Sequence, residues 1–253
     1  MLAFGLFVTG WAADGTGPLT ISQLQSRFLG GNQAYNAGNL DEAIHAYRAL
    51  LKQGYSAPEL HFNLANAYFR AGRTGNAVVH YRLAWYNQPR DPDIRANLQF
   101  ALNSSGAALP PRNGITALLQ TLSLEEWARI AVSAYWLLAA GIVAHLLWAG
   151  QSLYLKRTLL FTGLILLVAL AGIGSWASFA ISPEAVVTQK QQNALFEPLE
   201  DGQPHFALPE GAIVRIRERQ RDWVRVSSRG RLGWLTDDVL TSVYPWKSEP
   251  ETL

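Results

Sequence analysis

The chain has no cysteine, a single methionine and a charge on only 16% of its residues. Without cysteine, neither a disulfide framework nor a cysteine-ligated zinc site is available to it. Its five histidines, His45, His61, His80, His145 and His205, fall at no metal-ligand spacing, and no metal or cofactor is expected. No glycine-rich phosphate loop follows a strand. The serine pairs at 104–105 and 227–228 sit in loops without a positioned base. These gaps argue against an enzyme. The net charge of +2 is too small to draw nucleic acid. A mean hydropathy of +0.04 fits apolar segments diluted by water-soluble ones.

Charge is missing most completely from two stretches, 130–150 and 158–181. About 20 apolar residues suffice for a helix to cross a hydrocarbon core of ~30 Å. The expected spans are 126–150 and 158–181, joined by a short loop at 151–157. A hairpin of this kind puts its two flanking segments on one side of a membrane. Ser123-Leu-Glu-Glu126 gives the first span a capping-box start. Trp127, Tyr135, Trp136, Trp148 and Trp176 suit the interfaces, and Gly163, Gly172 and Gly174 would permit close helix contact. His145 reads as a neutral interfacial side chain. The loop carries Lys156 and Arg157 and no acid, whereas the outer flanks mix Arg112 and Arg129 with Glu125, Glu126 and Glu184. No Lys or Arg precedes Arg27, yet residues 1–13 (MLAFGLFVTGWAA) resemble the apolar core of a secretory signal, assigned to 1–17. The absent basic segment leaves room for an upstream start. The sum favours a bacterial inner-membrane protein with a cytoplasmic loop and both flanking modules in the periplasm.

Ahead of the spans, Gly38, Ala43 and Tyr47 recur 34 residues on as Gly72, Ala77 and Tyr81. That period resembles the tetratricopeptide repeat, in which small residues sit where paired helices touch and an aromatic fills the next groove. Two repeats plus a capping helix, 92–103, are expected within 18–105, followed by a linker at 106–125. The recurring Gly, Ala and Tyr are packing residues. The template places Phe28, Asn32, Tyr35 and Asn36 on the concave face, with Phe62, Asn63, Asn66, Phe69 and Arg70 beside them and Asn97 and Phe100 on the cap. Asparagine amides can pair with the backbone of an extended peptide, and the aromatics add apolar area. The face serves either as a peptide groove or as scaffold alone. Some tetratricopeptide domains clamp a C-terminal carboxylate with two asparagines and three basic residues. Asn32 and Asn63 match, but Phe28, Asp93 and Asn97 stand at the basic positions, so that activity is not carried over.

Beyond the spans the pattern turns to short strands, expected at 186–188, 212–216, 223–226 and 232–235 within 184–246. Period two would put Arg215, Arg217, Arg219 and Arg221 on one strand face. Such a face is either a solvated edge that discourages stray pairing or a contact for an anionic partner such as a wall polymer, lipid headgroups or an acidic protein patch. The order Leu208-Pro-Glu-Gly211, Trp223-Val-Arg-Val226 and Gly230-Arg-Leu-Gly-Trp-Leu235 resembles the bacterial SH3-like barrel, with Trp223 and Trp234 as its two tryptophans. The resemblance gives them core and rim roles ahead of ligand contact, and implies a module that binds peptides or peptidoglycan.

The whole order, together with His61-Phe-Asn-Leu-Ala-Asn-Ala-Tyr68, Ala-Gly72, Asn-Ala77, Tyr81-Arg-Leu-Ala84, Pro89-Arg-Asp91 and Asn97-Leu98, resembles the BatE proteins, tetratricopeptide members of the Bacteroides aerotolerance group. Leu83 departs from that family's pattern at a packing position. The resemblance implies partners among von Willebrand factor A-type membrane proteins and MoxR-type AAA+ ATPases, and a role in envelope stress. The expected architecture is a multidomain α plus β chain: a helical repeat array, a two-helix membrane hairpin and a small SH3-like β-barrel. The expected function is a non-enzymatic inner-membrane adaptor that binds protein partners. The alternative is a peptidoglycan-binding sensor anchored in the same membrane.

Overall fold

The computed structural model describes residues 19–111, 113–147, 153–246 and 251–252. The signal-like segment 1–17, Arg112 and Trp148 lie outside the described residues.

Five helices open the chain: α1 (Ile21–Asn36), α2 (Leu40–Lys52), α3 (Pro58–Arg70), α4 (Thr74–Asn87) and α5 (Pro92–Ser105). Thr20 starts α1 with a reciprocal capping box to Gln23, and Asp91 caps α5 through the N–H groups of Asp93 and Ile94. The turns after α1 and α3 pass through Gly38 and Gly72, at φ +85° and +74°, with open space where a Cβ would stand. Backbone conformation, not crowding, therefore calls for glycine there. Gly31 answers a different need, because a Cβ at that position would lie 2.6 Å from the Tyr47 ring. The helices pair as α1 with α2 and α3 with α4, and α5 covers α4. Ala43, Leu64, Ala65, Ala77, Ala84, Ala101 and Leu102 are completely buried between them.

A six-residue helix, α6 (Gly114–Leu119), leads into α7 (Leu124–Leu147) and α8 (Leu153–Ile181). Both long helices are long and apolar enough to cross a membrane. At 1.5 Å per residue their 24 and 29 residues reach about 36 and 43 Å. The capping box forms as the sequence suggests: the Ser123 N–H donates to Glu126, whose own N–H donates to Ser123 Oγ. The expected loop at 151–157 overlaps the second long helix. α8 begins at Leu153, so Lys156 and Arg157 lie in its opening turns, where the apolar pattern simply continues through two long side chains. Only the ends nearest the other helices are covered by protein. Gly172 lies against the Trp127 indole, and the Trp127 and Trp176 N–H groups donate to the carbonyls of Leu119 and Leu122. Gly163 and Gly174 have nothing within 4 Å and make no close helix contact. Further along, Leu137, Leu146, Leu147, Leu160, Phe161 and Leu167 stand exposed.

The remainder is an antiparallel open sheet of seven strands: β1 (Glu184–Val187), β2 (Gln192–Leu195), β3 (Pro204–Leu208), β4 (Ile213–Gln220), β5 (Trp223–Ser228), β6 (Arg231–Thr236) and β7 (Leu240–Val243). Their order is β3-β2-β6-β5-β4-β1-β7, and the two-residue β8 (Glu251–Thr252) pairs with β7 at the edge. The strands expected at 186–188, 212–216, 223–226 and 232–235 fall in β1, β4, β5 and β6, while β2, β3 and β7 were not foreseen. Ala185, Val187, Ala194, Phe206, Val214, Ile216, Val224, Val226, Leu235 and Leu240 share one cluster. Alternation along β1, β4 and β7 turns the other set, including Val186, Ile213 and Val243, into the core built by the helices. β1 is thus buried on both faces.

Candidate partner groove and the sealed face behind it

α1, α3 and α5 present one common face. Phe28 leans on Tyr47 and Phe62 on Tyr81, each with ring centroids 6.0 Å apart. Burial raises the Tyr47 pKa to about 12, with Tyr35 adding to the effect, and burial raises that of Tyr81 as well. Both hydroxyls remain protonated and donate: Tyr47 to Asn32 Oδ1 at 2.7 Å, Tyr81 to Asn66 Oδ1 at 2.5 Å. Asn63 Nδ2 donates to the same Asn32 oxygen at 3.0 Å. The tyrosines thereby fix the amides' orientation. Among the described residues no protein partner engages Asn32 Nδ2, Asn63 Oδ1 or Asn66 Nδ2, which leaves two donors and an acceptor to offer a ligand. Arg70 donates to the Tyr35 carbonyl, and its guanidinium carbon lies 4.5 Å from the Tyr35 ring centroid. Phe69 meets Phe100 edge-on across α3 and α5, and Phe100 is 62% exposed. Asn36 is exposed at the end of α1. Asn97 donates to the Asp93 carbonyl of its own helix, so its amide is partly occupied.

The opposite face of the array is closed along α4, while α2 leaves its outer side in solvent. α4 is buried almost throughout, from Gly75 to Tyr86. Gly75 lies against β1: a Cβ there would come within 2.6 Å of Thr188 Cα and 2.8 Å of the Val187 carbonyl. The Gly75 N–H, left without an intrahelical acceptor in the first turn, donates to Glu210 at 2.7 Å. Two turns on, Arg82 forms a buried ion pair with Glu184, and the Tyr86 hydroxyl donates to the same carboxylate at 2.9 Å. The Arg82 guanidinium stacks over Trp85 and Tyr86, 4.4 and 4.9 Å from their centroids. Burial opposes the Arg82 charge, but Glu184 and Tyr86 outweigh it and hold its pKa above the ordinary value. At the far end of α4, Trp85 and Tyr86 pack on Trp176, and Tyr86 on Phe179, from the second long helix. Helices, hairpin and sheet therefore meet on α4, and the segments on either side of the hairpin touch each other directly.

A second polar pair lies inside the array. His61 and His80 face one another Nδ1 to Nδ1 at 3.0 Å, and His61 Nε2 meets Ser56 Oγ at 2.9 Å. A single hydrogen fits between the two Nδ1 atoms. Burial, with His61 and Arg48 adding to it, lowers the His80 pKa well below its usual value.

The four arginines expected on one face of β4 are split. Ile216 pairs with Val226 but Glu218 with Arg225, so Arg217 is the extra residue of a bulge. The inserted residue shifts the alternation: Arg215 shares a face with Ser227, Arg219 pairs with Val224 on the other, and Arg221 sits in the following turn at φ +53°. Arg215 is half covered, over the Phe179 ring and 3.9 Å from Glu184. Trp223 is half-buried. Trp234 is buried but pairs with Arg225, whose guanidinium stacks on it from 5.9 Å. Its alternation places it opposite the Val224 and Leu235 core positions.

Arg82, Tyr86, Glu184, Glu210 and Gly75 were not foreseen as a set. Arg82 and Glu184 are 102 positions apart, so no local spacing links them. A signal did exist in the repeat itself. On its outward positions α2 carries Asp41, Glu42, His45, Arg48 and Lys52, and 34 residues later α4 carries Gly75, Asn76, Val79, Arg82 and Tyr86. The inward Ala and Tyr repeat, while the outward charges mostly do not.

The tetratricopeptide repeat family model matches residues 28–92, from the second half of α1 to the start of α5. This stretch is a tetratricopeptide array, and such repeats point to protein partners. No curated protein matches the chain.

Proposed function

We propose that the protein is a non-enzymatic, membrane-anchored adaptor that holds an extended segment of a partner protein in the face lined by α1, α3 and α5. The supporting observation is the division of labour between the two faces of the array. The outer side of α4 is consumed by the sheet and the hairpin, and that of α2 is charged and solvated. The inner face keeps Asn32 and Asn66 oriented by Tyr47 and Tyr81, and Asn63 by Asn32, with amide atoms unengaged among the described residues. Amides at this spacing suit main-chain N–H and C=O groups, and Phe28, Phe62, Phe69 and Phe100 supply apolar area for side chains. The family resemblance suggests the company: von Willebrand factor A-type membrane proteins and MoxR-type ATPases in envelope complexes, with the groove on the periplasmic side. The curled sheet, on this reading an SH3-like module, acts chiefly as a structural partner of α4.

A photo-crosslinker at position 66 in the full-length protein tests the groove. Capture of a defined protein, reduced in an Asn32→Ala/Asn63→Ala background, is the expected result. Capture of lipid alone, or of nothing, would falsify the reading.

A further inference from the structure

A cleft of about 390 Å³ opens between the linker 106–111 and one end of the sheet. Its walls carry Arg215, Arg217, Arg229 and Arg231 with Ser227 and Ser228, and no aspartate or glutamate occurs among its described lining residues. Arg229 stands at the tip of the tight β5–β6 turn, where it and Gly230 both have positive φ. Arg215 is tied to Glu184, and Arg231 lies over the Phe206 ring, 4.5 Å from its centroid. Arg217 and Arg229 have no acidic partner among the described residues and are exposed. Four guanidinium groups around a small concavity repel one another, and a bound anion relieves that repulsion. Arginine forks match phosphate oxygens in pairs, and serine hydroxyls can add further donors.

The position of the cleft indicates which anion. The Ser182 hydroxyl, one residue past the end of α8, donates to the Ile216 carbonyl, and the Ile216 N–H donates to the Pro183 carbonyl. Arg217 therefore follows directly on the backbone bridge to the second long helix. Arg215 rests on Phe179, in that helix's last turn. The linker forming the other wall runs within three residues into α6, whose Ile115 and Leu118 are 73% and 69% exposed. Ile181 at the end of α8 is 88% exposed. With α7 and α8 in a bilayer, these apolar side chains lie at its surface, where the phosphate of an anionic headgroup comes within reach of the cleft's arginines.

We propose that this cleft binds the phosphate of an anionic phospholipid, gripped chiefly by Arg217 and Arg229. The site is separate from the helical groove and would stand if the groove proved empty. The test uses full-length protein in neutral detergent, titrated with phosphatidylglycerol or phosphatidylcholine and read by native mass spectrometry, with Arg217→Gln/Arg229→Gln as the variant and Arg95→Gln as a charge control away from the cleft. The expected result is retention of phosphatidylglycerol over phosphatidylcholine, weakened about tenfold or more in the double variant and unchanged in the control. Both substituted side chains are exposed, and an unchanged circular dichroism melt verifies folding. Equal retention of the two lipids overturns the proposal, as does phosphatidylglycerol binding that ignores the double substitution. Displacement of the lipid by millimolar inorganic phosphate alone would also overturn it, by making the ligand a soluble anion.

Discussion

α2 and α4 are the same helix used twice, and they have different fates. Each turns a small alanine and a tyrosine inward, Ala43 and Tyr47 in one, Ala77 and Tyr81 in the other, all fully or nearly fully buried. Outward, α2 meets solvent through Asp41, Glu42, His45, Arg48 and Lys52, whereas α4 meets the sheet through Gly75, Val79, Arg82 and Tyr86. A repeat period preserves the contacts that paired helices need from each other. The outer face is set by its docking partner, and α4 has been rewritten to accept a strand at one end and the pair of long apolar helices at the other.

The largest test of this contrast is Glu184→Leu, which leaves Arg82 charged and buried without its carboxylate. A loss of about 3–5 kcal/mol is expected in a denaturant melt of the detergent-solubilised protein. Adding Arg82→Met should recover much of it, because an apolar pair needs no counter-charge. Recovery failing in the double variant would mean that the pair does not couple the two regions. Gly75→Leu comes next. The new side chain would strike the β1 backbone, at an expected cost of about 1–3 kcal/mol. The same leucine at the equivalent position of α2, Asp41→Leu, should change stability by no more than about 0.5 kcal/mol. Similar costs at both sites would erase the distinction between the helices.

The smallest effect concerns acid. Folded His80 resists protonation, while the unfolded chain binds that proton near the ordinary histidine pKa of ~6.5. Below that pH the unfolded state therefore holds more protons, and stability falls as pH drops toward the lower folded value. Melting temperature followed from pH 7.5 to 5 should decline in the native protein and decline less in His80→Leu. Parallel profiles would remove His80 as the cause.

The sequence made the repeat legible because glycine turns and small helix contacts are local and recur at a fixed spacing. It also exposed the two apolar helices, whose signal is composition over many residues. The sheet was half visible. β5 alternates clearly and β6 carries the Gly-Trp-Leu run, but β2 (QNAL) and β7 (LTSV) are four residues long and only weakly apolar, and β3 opens on Pro204. The arginine stripe failed because one extra residue at 217 reverses the alternation, and nothing nearby in the sequence marks a bulge. Of the groove residues, the amides at 32, 63 and 66 were placed by template position; the hydrogen bonds that orient them, from Tyr47, Tyr81 and between Asn63 and Asn32, arise only in the folded array. The α4 seam lay beyond reach of spacing, since its acid and base are separated by the entire excursion through the hairpin.

That separation has a consequence for biogenesis. On the ribosome, α4 is complete about a hundred residues before the strand that shields it exists, so the nascent repeat must wait with Arg82, Val79 and Tyr86 uncovered. With α7 and α8 in a bilayer, only a hairpin that returns both of its ends to one side could deliver Glu184 to them. A chain whose two ends were left on opposite sides would keep a permanently unfinished helix, open to proteases, so in a bilayer the buried ion pair would form only once both apolar helices had crossed.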